Sequence, residues 1–396
     1  MKTADRMDET LIEVPRGLAN VVVAETALSE VRGMEGFYHY RGYPATELAR
    51  HRSVEDVWAL LLDGELPDEH AAAAFSAEVA AASAVSSELA DRLRFIGEST
   101  RATDVMGGLR AAVALEGARI GLRPVYDLSP AQRRRQLIEI AAKVPGMIAA
   151  LSRARAGHDI VAPRPELGYV ANYLYQLHGE VPAPERVTAL SAYLVAAIDH
   201  GLNASTFTAR VIASTGADVA SCLTGALGAL SGPLHGGAPS RVLDTLDAIG
   251  SPANIDNWVI GRLTRGERIM GFGHPVYRTE DPRSALLKEV ARGFGGQRVE
   301  LAIAVEERIP ALLDRYKPGR VLRTNVEWYA AIVMELCGLS RELFTPTFAV
   351  ARVLGWTANI LEQSRDPKII RPASRYVGPT PPLAVPDATP PDKPGA

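Results

Sequence analysis

Along most of this chain apolar residues recur at intervals of three and four, the spacing that puts them on one face of an α-helix. The pattern predicts helices over residues 54–62, 71–93, 131–154, 186–200, 242–249 and 300–316. Pro145 and Pro310 fall inside two of these stretches, where proline is expected to kink or break a helix. Two more helices are expected near the end. Residues 325–336 carry Val326, Ala330, Val333 and Leu336 as one stripe. Residues 344–361 are apolar almost all round and predict a buried helix. Strand-like alternation is scarce, and one hairpin is expected, with strands at 20–28 and 36–40 around Arg32-Gly33-Met34-Glu35. With helical spacing dominant and alternation scarce, the fold class is mainly α, and no repeat of fixed period is present. Residues 250–257 and 293–297 read as connections. From Gly378 onward Pro, Asp and Ala dominate, a composition expected to stay disordered.

Composition narrows the function classes. With 396 residues, 47% of them hydrophobic, the chain can bury a large core in one to three domains. A net charge of -3 gives no electrostatic argument for nucleic acid or an anionic membrane as partner. The longest uncharged stretch, 219–240, holds five glycines, two prolines and a histidine, which makes a poor membrane span. The first ten residues mix Lys, Asp, Arg and Glu without an apolar core, unlike a secretory signal. Cys222 and Cys337 lie in apolar runs and are expected to be buried thiols. A cytoplasmic protein is expected. The sequence contains no phosphate-binding Gly-Lys-Ser/Thr loop, no His-Glu-x-x-His, no Cys-x-x-Cys and no Gly-x-Ser-x-Gly.

Four segments carry polar residues that an apolar or tight-turn pattern does not require. Asp199-His200-Gly201-Leu202-Asn203-Ala204-Ser205-Thr206 closes an apolar helix. Alone it reads as a helix C-terminus, with His200 favoured by the dipole and Gly201 as the cap. In Ser231-Gly232-Pro233-Leu234-His235-Gly236-Gly237-Ala238 a histidine lies among glycines, which let backbone approach a ligand closely. That segment fits a turn histidine and a neutral hydrogen-bond donor equally well. Residues 267–283 hold Gly271-Phe272-Gly273-His274 with Arg268, Arg278 and Arg283 nearby. Exposed backbone N–H groups and arginines suit phosphates and carboxylates. Thr324-Asn325-Val326-Glu327 fits a capping box, which would give Glu327 a purely structural role. Arg352 sits midway along the 344–361 helix, where Phe348, Ala349, Gly355 and Trp356 are its neighbours on the same helix. A buried, unpaired guanidinium is not tolerated, so a distant acid or a bound anion must meet it, and the anion is favoured.

Two further segments precede these, Gly36-Phe37-Tyr38-His39-Tyr40-Arg41-Gly42-Tyr43 and Val57-Trp58-Ala59-Leu60-Leu61-Leu62-Asp63-Gly64-Glu65-Leu66-Pro67, and Arg371-Pro372 follows. Together and in this order the segments resemble citrate synthases over most of the chain. The resemblance implies a two-domain helical subunit, with a large domain at 1–235 and 342–378, a small closing domain at 236–341 and a disordered tail at 379–396. It implies a homodimer, favoured over hexameric relatives by the short N-terminus, in which Arg371 reaches the partner's site. His235 matches the neutral histidine that hydrogen-bonds the thioester oxygen, and His274 the acid that protonates the keto oxygen of oxaloacetate. Arg283, Arg352 and Arg371 match the arginines that hold its carboxylates, and His200, joined by Asn203, matches a further contact. The loop Met270, Gly271, Phe272, Gly273 is expected along CoA, with Arg268 and Arg278 near its phosphates.

The sequence departs from the family pattern at the base. An aspartate is usual in Asn-Val-Asp, and Glu327 stands there. One added methylene can move a carboxylate by about 1 Å, a displacement able to cost ~10²-fold in rate. Glu327 is still assigned as the base, and its place at a helix start is expected to favour ionisation. The usual His-Arg-Val-Tyr is His274-Pro275-Val276-Tyr277, and a usual His-Pro-Met appears as Ala102-Thr103-Asp104-Val105-Met106. The leading expectation is condensation of acetyl-CoA with oxaloacetate. The alternatives are a 2-methylcitrate synthase using propionyl-CoA, since one methylene is a small discrimination, and a non-catalytic paralogue binding oxaloacetate or CoA. No metal or other cofactor is expected for any of them.

Overall fold

The computed structural model describes residues 11–100, 104–236, 239–267, 269–273, 277, 279–316 and 323–385. The chain divides into two units, Thr26–Ile369 and the two ends, Met1–Glu25 with Ile370–Ala396. In the unit of the two ends, Arg16–Leu18 form a single 3-10 turn and Arg375 pairs with Glu13 at 2.6 Å. Residues 379–385 of the expected tail are exposed and carry no helix or strand. Residues 386–396 lie outside the described residues.

The unit Thr26–Ile369 is built almost wholly of α-helices, as the mainly α reading requires. Its longest buried element is the helix Phe344–Gln363, in which Val350, Val353, Leu354 and Trp356 are fully buried. Gly355 explains how this helix seats. A Cβ at that position would lie 2.0 Å from the carbonyl oxygen of Ile198, so only glycine lets the two backbones meet. The contact falls just beyond the helix Pro184–Ala197 and sets Arg352, one turn earlier, beside that helix end.

Capping chemistry divides two stretches that periodicity alone joins. Residues 71–93 are two helices, Glu69–Ala82 and Ser87–Ser99, and Ser86 opens the second by accepting the N–H of Leu89. Residues 131–154 are Pro130–Ala141 and Val144–Arg155. Pro145 lies in the first turn of the second helix, where its missing N–H costs nothing. Pro310, by contrast, sits inside a continuous helix, Gln297–Tyr316.

The hairpin is displaced from its expected place. Strand β1 (Ser29–Arg32) pairs antiparallel with β2 (Phe37–Tyr40), Ser29 opposite Tyr40 and Arg32 opposite Phe37, and a short β3 (Tyr43–Pro44) follows. The four residues 33–36 form the turn, so β2 pairs with Ser29–Arg32, and of the expected 20–28 strand Leu28 alone is met, its carbonyl accepting the N–H of Arg41 at 2.8 Å. Tyr38 and Tyr40 are buried and donate to the carbonyls of Ala196 and Val195 at 3.1 and 3.0 Å. The sheet is thereby fixed to the end of the helix that delivers His200. Cys222 and Cys337 are buried and unpaired with each other. Among the described residues no helix is long and apolar enough to cross a membrane.

Candidate active site

A cavity of about 600 Å³ opens inside the unit Thr26–Ile369, and His200, Asn203, His235, Arg283, Glu327 and Arg352 all line it. They arrive from five separate segments spread over more than 150 residues. The helix Pro184–Ala197 leads to His200, and Asn203 opens the helix Ala204–Ser214. His235 follows the helix Val219–Leu230. Arg283 and Glu327 occupy the first turns of Pro282–Phe294 and Val326–Leu336, and Arg352 comes from the buried helix.

Glu327 is held by its backbone. Asn325, not Thr324, is the N-cap, and its Oδ1 accepts the N–H of Glu327 at 3.0 Å. Thr324 instead donates its hydroxyl to Glu306 at 2.9 Å. The expected capping box is therefore absent, and Glu327 is released from the role of reciprocal cap. Among the described residues its carboxylate has no hydrogen bond or ion pair. Burial lifts this carboxyl to about 7, against the pull of the Arg283 charge. A helix N-terminus stabilises an anion by about 0.3–1 kcal/mol. A rise from 4.5 to about 7 reflects roughly 3 kcal/mol in the opposite sense, so burial wins over the helix start.

Arg283 shares an acid with the same helix start. Asp281 receives Nε and Nη2 of Arg283 at 3.0 and 2.8 Å, and its Oδ2 also accepts the N–H of Val326 at 3.0 Å. Sequence reading passed over Asp281. An Asp before Pro at the mouth of a helix is an N-cap signal that could have found it. Tyr277 was also missed, and its hydroxyl lies 2.9 Å from Nε2 of His200.

His235 meets a hydroxyl. Its Nε2 is 2.8 Å from Oγ of Ser205, and that Oγ is also 2.8 Å from Oδ1 of Asn203. A serine carries one proton and can donate to only one of the two. Burial, helped by the Arg352 charge, lowers His235 to about 4, so the ring is neutral at pH 7. No signal in the sequence marked Ser205. Asn203 accepts the N–H of Thr206 at 3.1 Å as well as the Ser205 hydroxyl, and it donates to the carbonyl of Gly201 at 3.2 Å.

Arg352 is 2% exposed, and among the described residues it forms no ion pair. Its Nε donates to the carbonyl of Ala197 at 3.0 Å, and its guanidinium lies 4.6 Å from the centre of the Phe348 ring. Asp199 is buried in the same region, but its carboxylate is taken by Ser29 and by Nδ2 of Asn359. A cation walled by a ring, a carbonyl and a cavity is suited to an anionic ligand.

The loop expected along CoA packs on the start of the Glu327 helix. Gly271 accepts the N–H of Asn325 at 2.9 Å, and Gly273 accepts Nδ2 of Asn325 at 3.0 Å. The φ of Gly271 is +84°, and a Cβ there would strike Trp328 at 2.7 Å. The Phe272 ring stands 5.2 Å from that of Trp328. Met270 precedes this contact. Arg268, His274 and Arg278 lie outside the described residues. Arg371 is exposed and belongs to the unit of the two ends.

The family model described as "Citrate synthase, C-terminal domain" matches residues 17–373. The chain belongs to the citrate synthase family. It is 37% identical to a citrate synthase of Deinococcus radiodurans over 92% of this chain and 96% of that protein. It is also 37% identical to a 2-methylcitrate synthase of Mycobacterium tuberculosis, over 95% of this chain and 93% of that one. A solved citrate synthase of Thermoplasma acidophilum, a ternary complex with carboxymethyl coenzyme A and oxaloacetate, superposes with a TM-score of 0.85. That match is at 28% identity and covers 95% of this chain and 99% of the other. As a member of this family the chain is an enzyme, a transferase.

Proposed function

We propose that this chain forms citrate by joining the methyl carbon of acetyl-CoA to the keto carbon of oxaloacetate and then hydrolysing the thioester. The observation that carries this reading is the meeting, in one cavity, of a half-buried carboxyl near neutrality that has no hydrogen-bond or ion-pair partner among the described residues with a neutral imidazole and a buried arginine. A methyl group beside a thioester is a very weak acid, so a base and a donor at the carbonyl oxygen must act together. Glu327 takes the proton. His235 donates to the thioester oxygen through Nδ1–H, for which the Ser205 hydroxyl must turn from Oδ1 of Asn203, to which it donates in the structure, to Nε2 of His235. The enol carbon attacks the keto carbon while His274 protonates the keto oxygen. Arg283 and Arg352 hold the carboxylates of oxaloacetate, with His200 and Asn203 beside them and Arg371 supplied by a second subunit of a homodimer.

In this reading residues 236–341 form a small domain that closes over the large one at 1–235 and 342–378 and excludes water before hydrolysis. The loop 270–273 follows CoA, and Arg268 and Arg278 meet its phosphates. Acyl-CoA is consumed as a substrate, no metal or cofactor takes part, and the enzyme works in the cytoplasm.

The test is CoA release by the purified protein with oxaloacetate and either acetyl-CoA or propionyl-CoA. A higher kcat/KM for acetyl-CoA is expected. A preference for propionyl-CoA would overturn it in favour of the 2-methylcitrate activity named for the equally identical mycobacterial relative. Binding of both ligands without release would show a non-catalytic paralogue.

A further inference from the structure

Glutamate is the longer of the two carboxylates that can serve as a base, and its length has a consequence for the acyl group. The carbon that loses a proton must lie within hydrogen-bonding reach of the Glu327 carboxylate. Any substituent on that carbon therefore falls beside the Glu327 side chain and its neighbours. Acetyl carries only hydrogen there, and propionyl carries a methyl group.

The neighbourhood has little room to yield. Val326 and Ala330 share the helix of Glu327 and line the same cavity, and Ala330 is only 1% exposed. Tyr193, 2% exposed, and Phe348 line it from two other helices. The Phe348 ring is held against the guanidinium of Arg352. The start of the Glu327 helix cannot easily retreat either. The N–H of Val326 is fixed to Asp281, that of Glu327 to Asn325, and that of Asn325 to Gly271. Packed protein interiors respond to a change of one methylene.

We propose that Glu327 sets the acyl length, its second side-chain methylene filling the volume that the extra methyl group of a propionyl thioester would need. This inference rests on the condensation reading given above. It makes one residue both the base and the gauge of its substrate. Proton removal itself is unchanged: the C–H pair becomes the enol double bond, the proton goes to Glu327, and the thioester oxygen receives the hydrogen bond of His235.

The experiment compares kcat/KM for acetyl-CoA and propionyl-CoA, with oxaloacetate, in the unaltered enzyme and in Glu327→Asp. The shorter acid is expected to move the acetyl-to-propionyl ratio towards propionyl-CoA by about tenfold or more, the size of one-methylene discrimination. An unchanged ratio in an active variant overturns the proposal while leaving the condensation reading intact. Silence of the unaltered enzyme with both thioesters overturns that reading and the gauge with it. Should Glu327→Asp turn over neither thioester, binding to the oxaloacetate-loaded protein is measured by calorimetry, with Glu327→Gln as the variant of unchanged length. Relative affinity for propionyl-CoA should then rise about tenfold in Glu327→Asp and stay as it was in Glu327→Gln. Equal shifts in the two variants would assign the effect to charge and overturn the proposal, as would no shift in either.

Discussion

The Oδ2 atom of Asp281 accepts the backbone N–H of Val326 at 3.0 Å, tying the residue before the proposed base to the acid that pairs with Arg283. Asp281 is 1% exposed and Arg283 is 4% exposed, so this pair is out of solvent. Removing one partner of a buried pair costs about 3–5 kcal/mol, because the remaining charge is left uncompensated. Asp281→Asn should lower the unfolding free energy by that order and weaken oxaloacetate binding. Because the same atom fixes the start of the Glu327 helix, kcat should fall as well as KM rise. Denaturant titration and steady-state kinetics read the two effects separately. A variant with altered stability and unaltered kinetics would confine Asp281 to a structural role.

Glu327→Gln tests the base. General base catalysis contributes roughly 10²–10⁴-fold, and kcat should fall by that range while oxaloacetate still binds. In the unaltered enzyme kcat/KM should rise with pH through about 7, as the Glu327 carboxyl of the free enzyme ionises. The stability effect has the opposite sign. The folded state keeps this proton up to about 7, whereas the unfolded chain releases it near 4.5, so the folded protein binds more protons between those values. Stability is therefore lost as pH rises across that window, by roughly 2–3 kcal/mol. Glu327→Gln removes the ionisation, and above pH 7 it should be the more stable protein while being the poorer enzyme. Equal stability at pH 8 would contradict the burial of a carboxylate there.

His235 should show the reverse dependence. Its folded value of about 4 lies below the ordinary 6.5, so the unfolded chain takes up a proton first as the pH falls. The contribution of the neutral ring is present above 6.5 and is lost as the pH drops towards 4. Discounted for its partial exposure, it amounts to about 1 kcal/mol at pH 5. His235→Asn should reduce the difference between denaturation midpoints at pH 7 and pH 5 by that amount. An unchanged difference would mean that His235 is solvated.

Long-range packing and local chemistry were legible in the sequence to different degrees. The helix Phe344–Gln363 was visible because its apolar positions run all round it, and Arg352 stood out as a charge with no acid on its own helix. The helix breaks at 83–86 and 142–143 were hidden, since apolar spacing continues across them while Ser86 and Pro145 decide where each new helix starts. Glu327 shows the same limit. Four letters fit a capping box at Thr324, but Glu306, eighteen residues earlier, takes the Thr324 hydroxyl, and the cap moves to Asn325. The ionisation of Glu327 was misjudged for a related reason. A helix start is written in the local sequence, and the depth of burial that outweighs it is set by distant helices. Ser205 lay in a quoted segment, yet only the fold brings it to His235.

Arg352 and Gly355 offer a test that separates charge from placement. Arg352→Leu removes the guanidinium and should weaken oxaloacetate binding severely, with modest loss of stability, because a buried cation is exchanged for an apolar side chain in an apolar helix. Gly355→Ala keeps the guanidinium but adds a carbon that would sit 2.0 Å from the Ile198 carbonyl oxygen. That atom is backbone and cannot swing aside, so the helix Phe344–Gln363 must move away from the end of Pro184–Ala197. Overpacking of this kind costs about 1–3 kcal/mol or more. The shift also draws Arg352 from the carbonyl of Ala197, its hydrogen-bond partner at 3.0 Å. Gly355→Ala is therefore expected to lower the melting temperature and raise the oxaloacetate KM together, whereas Arg352→Leu should raise KM with little change in melting. Normal oxaloacetate affinity in Arg352→Leu would show that this buried cation serves the fold alone.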